Sequence, residues 1–255
     1  MRLEEINDYL KVNLVPVSGD IINSTEEQSF EFFICRYLVT QKLYMSIIDK
    51  NPSRFSFNLQ NPVECISWYD AIMFCNQLSE KLGFYPYYEI NENMNDKNNY
   101  NKKDDLKWTI QINKNSDGFR LPYSKEWYTA LYGGLNFKNS YKPINKTIYT
   151  SSMLEETWCE DNSHNETKPI GLKIANILGL YDMLGNVFEW CYDWYESINK
   201  QMIVGKYKSG NYRIMCGGCW DIGIENIHTS FRRISPAARR PYVGIRLVKN
   251  NLNGM

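Results

Sequence analysis

The stretch Gly179-Leu180-Tyr181-Asp182-Met183-Leu184-Gly185-Asn186-Val187-Phe188-Glu189-Trp190 sets two glycines and two carboxylates among three aromatic rings. Glycine permits the backbone reversals that other residues resist, so the stretch reads as a tight turn running into a short aromatic strand. Glycines at 171, 205, 210, 217, 218, 223 and 244 punctuate similar short runs on either side. Everything after Ser151 therefore reads as loops and short strands with little helix.

Upstream of it the pattern is different. Phe30 to Val39 is rich in aromatic and branched residues and reads as a strand, and Thr40 is placed to cap a short helix carrying Leu43, Tyr44, Ile47 and Ile48. Ser67 and Asp70 have capping-box spacing ahead of Ile72, Cys75, Leu78 and Leu82, and Gly83 supplies the stop. Pro122 opens a third helix, with Trp127, Ala130 and Leu131 on one side and Gly133-Gly134 ending it. Between these helices, Asn91 to Asp105 is polar and rich in Asn and Lys, and it reads as a mobile hairpin loop. Helices early and irregular β structure late make one α+β domain.

The 255 residues are 43% hydrophobic and 23% charged, enough to bury roughly 70–75% of the unfolded surface without help from metal or disulfide. Basic and acidic residues balance at 29 each, so the long-range field that would draw nucleic acid is missing. No apolar run reaches the length of a membrane span, and the chain as given reads as soluble. Seven cysteines at 35, 65, 75, 159, 191, 216 and 219 are an odd, scattered set, best read as mostly buried free thiols. Cys216-Gly217-Gly218-Cys219 also has the spacing of a redox or half-zinc pair, with only His164 and His228 to complete a tetrahedral site.

Four segments carry a resemblance to a known family. They are Pro62-Val63-Glu64-Cys65-Ile66-Ser67-Trp68-Tyr69-Asp70-Ala71; Gly118-Phe119-Arg120-Leu121-Pro122 with Glu126-Trp127; the Gly179–Trp190 stretch; and Gly217-Gly218-Cys219-Trp220 with Gly244-Ile245-Arg246-Leu247-Val248. In this order, from about Phe30 to Val248, the chain resembles the formylglycine-generating-enzyme, or sulfatase-modifying-factor, domain. The resemblance implies a C-type-lectin-like fold, irregular, with short strands and few helices. Residues 30–255 would form the domain and 1–29 lead into it. Within the shared motifs, Trp127, Trp190, Trp194 and Trp220 read as core aromatics, and Arg120 and Arg246 as ties for irregular backbone.

The family's catalysts bind copper through two cysteines shortly after the Gly-Gly pair. Aligned on Gly217-Gly218, those positions fall at Ile222 and Ile227, and isoleucine cannot supply thiolate chemistry. This departure implies a protein that is not an enzyme. An oxidase acting on a sulfatase cysteine through Cys216 and Cys219, and a structural accessory domain with a fixed partner, are the alternatives. Iron-dependent sulfoxide synthases of the same fold need a histidine triad, which two histidines cannot make. The resemblance also implies a calcium or magnesium site from the side chains of Asp182 and Glu189 with the carbonyls of Gly185 and Val187, although no cofactor is required. The competing reading has Asp182 capping its turn and Glu189 pairing with an arginine.

Within 213–248, family scaffold residues alternate with others that follow no period: Asp221, Ile222, Gly223, Ile227, His228, Phe231, Ile234, Ala237, Ala238, Pro241 and Tyr242. Members of the family that serve as variable proteins of diversity-generating retroelements have AAY codons randomised to NNY, which never encode Lys, Glu, Gln, Met or Trp. Those five types make up 58 of the 255 residues, yet 216–243 holds only Trp220 and Glu225. All 19 lysines lie outside 209–248, while six of the ten arginines lie inside. The chain is thus similar to such a variable protein, and the eleven residues are expected to meet a protein or other macromolecular ligand, with Phe231 and Tyr242 as anchors. Display at a cell surface through an N-terminal anchor is expected to go with that role.

Overall fold

A computed structural model describes residues 1–22, 27–134, 150–195, 208–227 and 231–251. The first helix, α1 (Leu3–Asn13), has Glu4 and Glu5 in its first turn and Lys11 in its last, matching the helix dipole. Ile6 and Leu10, one turn apart, are buried in the main core. β1 (Leu14–Ile22) then runs antiparallel to β2 (Glu27–Cys35), Leu14 opposite Cys35. The strand expected over 30–39 thus ends at Cys35. It stops there because the backbone next serves other partners: Arg36 N–H donates to Asn13 O and Val39 N–H to Ile245 O.

α2 (Gln41–Ile48) begins where the sequence indicates, with Thr40 Oγ1 accepting from Leu43 N–H at 3.1 Å. α3 (Trp68–Lys81) carries the expected capping box: Ser67 Oγ accepts from Asp70 N–H and Asp70 Oδ2 accepts from Ser67 N–H at 2.7 Å. α4 (Ser124–Leu131) starts two residues after Pro122, its first turn closed by Glu126 accepting from Tyr123 N–H. A short α5 (Thr150–Glu156) precedes the irregular half.

Three sheets hold the strands. The first has the order β1-β2-β10-β5, with β10 (Val248–Asn250) seated between β2 and β5 (Phe119–Arg120). The second is the hairpin of β3 (Tyr88–Asn95) and β4 (Trp108–Ile112). The third is β8-β7-β6-β9, built from β6 (Phe188–Tyr195), β7 (Tyr212–Cys216), β8 (Phe231–Ile234) and β9 (Val243–Gly244), with β9 parallel to β6. The largest core cluster includes Trp68, Phe74, Leu78, Phe119, Trp190 and Leu247. A second packs Val17, Phe32, Trp127, Ile214 and Val248. The expected mixed fold with few helices and short strands is what the chain forms. All seven cysteines are free thiols, six buried and Cys65 half-buried.

The 91–105 loop differs from expectation. β3 continues to Asn95, and the residues after it fold into successive Asx turns: Asp96, Asn99, Asn101 and Asp104 each accept from backbone N–H groups two residues on. Asn99, Asn101 and Asp104 are buried. Asp104 also accepts from Tyr69 Oη at 2.9 Å and Asn99 Nδ2 at 2.7 Å, and Asn101 Nδ2 donates to Asn211 O. The polar side chains satisfy their own loop, so it is fixed rather than mobile.

Candidate ligand-binding face

The C-terminal segment leaves β7 through Gly217 and Gly218, at φ of 102° and 78°. A Cβ on Gly217 would lie 2.9 Å from Met183 O, so only glycine fits this crossing. Gly185 N–H donates to Gly217 O at 2.7 Å, and Trp220 N–H to Asn186 O at 2.9 Å, tying the segment to the opening turn of the Gly179–Trp190 stretch. Trp220 Nε1–H reaches Pro241 O at 2.9 Å, and the ring meets Phe55 edge-on at 5.3 Å.

The loop from 235 to 242 is pinned over the start of α3. Trp68 N–H donates to Pro236 O, Cys65 N–H donates to Arg240 O, and Arg239 grips both carboxylate oxygens of Asp70 at 2.7 and 2.8 Å. Asp70 thus serves the capping box and the loop together. At the segment's start, Arg213 is held between the rings of Trp68 and Trp194, and burial pushes its pKa down to about 10. At its end, Arg246 is fully buried and donates to Glu189 and to the carbonyls of Cys35, Arg36 and Tyr181. Arg120 pairs in the same manner with Glu126 and with Leu121 O. Both arginines are the backbone ties that their motifs suggest.

On this frame Asp221 is exposed, and Ile222, Gly223, Ile234, Ala237, Ala238, Pro241 and Tyr242 are half-buried. Ile222, Ile234, Ala237 and Tyr242 rest their inner sides on the main core, Tyr242 edge-on to Phe188 at 6.2 Å. His228 and the side chain of Phe231 lie outside the described residues. Ile227 requires a correction: at 1% exposure it packs with Met153, Cys159 and Ile224, so its side chain is core and out of a ligand's reach. The segment is also less irregular than its sequence suggests, with a one-turn helix α6 (Ile224–Ile227) and strand β8 within it. α6 is fixed from outside the segment by Asp161, which accepts from Ile224 N–H at 2.9 Å.

At the expected divalent-cation site the carboxylates have protein partners. Both oxygens of Glu189 accept from Arg246, and Oε2 accepts from Trp127 Nε1 as well. Asp182, buried at φ of 54°, accepts from Gly171 N–H at 2.8 Å. Both oxygens of Glu189 are thus engaged by Arg246, which is the arginine pairing of the competing reading. The thiols flanking the glycines are buried too, and burial pushes Cys219 up to about 12. Among the described residues no group of three His, Cys, Asp or Glu could hold a metal, and no helix is long and apolar enough to cross a membrane.

Sequence reasoning missed Phe55 and its neighbour Arg54. Their signal was the run Arg54-Phe55-Ser56-Phe57-Asn58-Leu59, which exposes Phe57 and Leu59 while Phe55 turns in to Trp220.

A buried arginine–glutamate tie beneath a Gly-Gly turn, with short strands closing two sheets, defines the class. The chain belongs to the sulfatase-modifying factor enzyme 1-like domain family, whose profile matches residues 22–251. Among solved structures it is similar to Treponema denticola variable protein 1, with a TM-score of 0.72 at 28% identity, covering 93% of this chain and 95% of that one. Among curated proteins it is 35% identical over 233 residues to the chaperone protein LppX of Paenibacillus barcinonensis, covering 86% of this chain and 80% of the relative. It is also 28% identical over 108 residues to the inactive C-alpha-formylglycine-generating enzyme 2 of Bos taurus, covering 40% of this chain and 33% of that protein.

Proposed function

We propose that this protein is a non-catalytic binder whose C-terminal segment is diversified to recognise varied protein ligands. The observation that carries the reading is the likeness to variable protein 1 across nearly the whole of both chains. The isoleucines at 222 and 227 support it, since they remove the thiolates that the family's catalysts need. The pinned 235–242 loop supports it as well: a rigid frame holding half-buried small and apolar side chains is the arrangement a replaceable contact surface needs. A relative named a chaperone fits the same class of work, which is holding another polypeptide. Display at a cell surface belongs to this reading.

A library randomised together at 221, 222, 223, 237, 238 and 241 tests it. Most members are expected to fold, with Tm within about 5 °C of the parent, and selection on an unrelated folded target such as lysozyme is expected to yield binders. General loss of folding would overturn the reading. The gene itself supplies a second check. A nearby near-identical repeat with AAY codons at the positions of Asp221, His228, Phe231 and Tyr242 is expected, whereas its absence, with the same residues in every relative of the genome, would mark an accessory domain with a fixed partner.

A further inference from the structure

The spacing of Cys216-Gly217-Gly218-Cys219 suggests a pair, but the fold parts its two thiols. Gly217 and Gly218 turn the chain at positive φ, and Cys219 packs in the main core cluster while Cys216 packs in the second. The sulfur that Cys216 meets comes from β6: Cys191 Sγ lies 3.7 Å from Cys216 Sγ and donates to it. Both residues are at 0% exposure.

The strands bring this about. β6 and β7 pair with Glu189 opposite Cys216 and Trp190 opposite Met215, and the register shifts between Trp190 and Trp194. Successive side chains of a strand point to opposite faces. Trp190 and Met215 accordingly join the main cluster, and Cys191, Ile214 and Cys216 the second. Cys191 therefore shares a face with Cys216 and stands diagonal to it, at the start of a bulge, where a strand bends. As thiols the two make only a weak polar contact, and the other acceptor in reach of Cys191, Glu189 O, lies at 3.9 Å. A disulfide holds its sulfurs at about 2.05 Å, so the two have less than about 2 Å to close.

We propose that Cys191 and Cys216 form a cross-linking site, joined as a disulfide between β6 and β7 by exchange with a low-molecular-weight disulfide such as oxidised glutathione while the chain folds. One cysteine thiolate attacks the small disulfide, releasing one small thiol and leaving a mixed disulfide. The other cysteine thiolate then attacks the protein sulfur of that bond, and the second small thiol leaves. One S–S bond forms in the protein as one breaks in the reagent. The two cysteines are oxidised, the reagent is reduced, and the two cysteine protons end on the released thiols. Thiolate is the attacking form, and burial pushes the Cys191 thiol well above its ordinary range, so the exchange belongs to the stage before the third sheet closes over it. The bridge closes residues 191–216 into a ring and fixes the end of β7, from which the candidate face departs at Gly217, whatever residues occupy 221–242.

For the test, the full chain is unfolded in urea with dithiothreitol and refolded either in that reductant or in mixed oxidised and reduced glutathione, then blocked with N-ethylmaleimide and cut with trypsin. Cleavage after Lys and Arg places Cys191 in the peptide 174–200 and Cys216, with Cys219, in 214–232. Mass spectrometry is expected to find these peptides joined after refolding in glutathione, the link persisting in Cys219→Ser and vanishing in Cys216→Ser. The oxidised chain is expected to melt at least about 5 °C above the reduced one, and Cys191→Ala with Cys216→Ala to melt alike in both conditions. The folded, reduced chain is expected to acquire the bridge at least tenfold more slowly than the refolding chain. Maleimide on both cysteines after refolding in glutathione, lasting glutathione adducts on either, or Cys216 joined to Cys219 overturns the proposal. A bridge that leaves Tm unchanged or lowers it overturns it as well, and equal rates from the folded and refolding chains overturn the stage assigned to the exchange. None of these outcomes touches the library selection on lysozyme, so the cross-link and the binding role stand or fall separately.

Discussion

Glu64 is fully buried, with Oε1 accepting from Phe55 N–H at 2.8 Å and Oε2 without a hydrogen-bond partner. Burial raises its pKa above the ordinary 4.5, with the Cys65 thiol and the backbone at Phe55 and Arg54 pulling the other way. The folded chain therefore holds this proton more tightly than the unfolded chain does. Its contribution to stability is present at low pH and is lost as pH rises from about 4.5 through the raised value. Glu64→Gln keeps the acceptor for Phe55 and removes the charge. Chemical denaturation at pH 5 and pH 7 is expected to show the variant gaining on the wild type at the higher pH. Arg246 is the opposite case, a buried charge that is fully partnered. Arg246→Ala strands Glu189 and three carbonyls and is expected to cost about 3–5 kcal/mol in urea denaturation, with Arg246→Lys recovering little because it lacks the fork. The sequence placed Arg246 as a backbone tie and left Glu189 open between a metal and an arginine. The arginine contact joins residues 57 apart, which no local pattern in the sequence reveals.

Among the elements, those with local signals were legible. Thr40 and the Ser67/Asp70 box mark their helices because a cap acts within three residues. α1 was missed although Ile6 and Leu10 have helical spacing, since a single i, i+4 pair is a weak signal beside the charge of that stretch. The 96–107 loop was misread because Asn, Asp and Lys are the composition of solvated chain. What fixes it is mutual hydrogen bonding, which composition does not encode. Asp104→Ala would leave Tyr69 Oη and the N–H groups of Leu106 and Lys107 without their acceptor, and Asn99 Nδ2 with only its bond to Tyr69 Oη. A loss of about 3 kcal/mol is expected, together with faster amide exchange across 96–107.

At the scale of the molecule, the family motifs carried the fold class, and two of them span junctions between elements, β5 to α4 and β9 to β10. The candidate face was legible only in part. Its aperiodic residues do lie along the pinned segment, but Ile227 is covered by Met153 and Cys159, distant in sequence, and no local pattern reveals such a lid. Tyr242 likewise leans on Phe188 and so is not a pure surface anchor. Stability should separate the two kinds of position. Ile227→Ala is expected to cost about 2–4 kcal/mol as a cavity, whereas Ala238→Ser should shift stability by less than about 0.5 kcal/mol. Equal losses at both would mean that the segment is all scaffold.

β10 occupies the middle of its sheet, between β2 and β5, although it is the last strand of the described chain. Synthesis runs from the N-terminus, so β2 and β5 must wait, with open edges facing one another, until residues 248–250 arrive. Every residue of the candidate face is made before that closing strand and must be accommodated for it to seat. A variant whose segment cannot settle on the frame leaves the sheet unzipped and its edges open to proteolysis or aggregation. The topology thus ties closure of the first sheet to the folding of the segment that precedes β10.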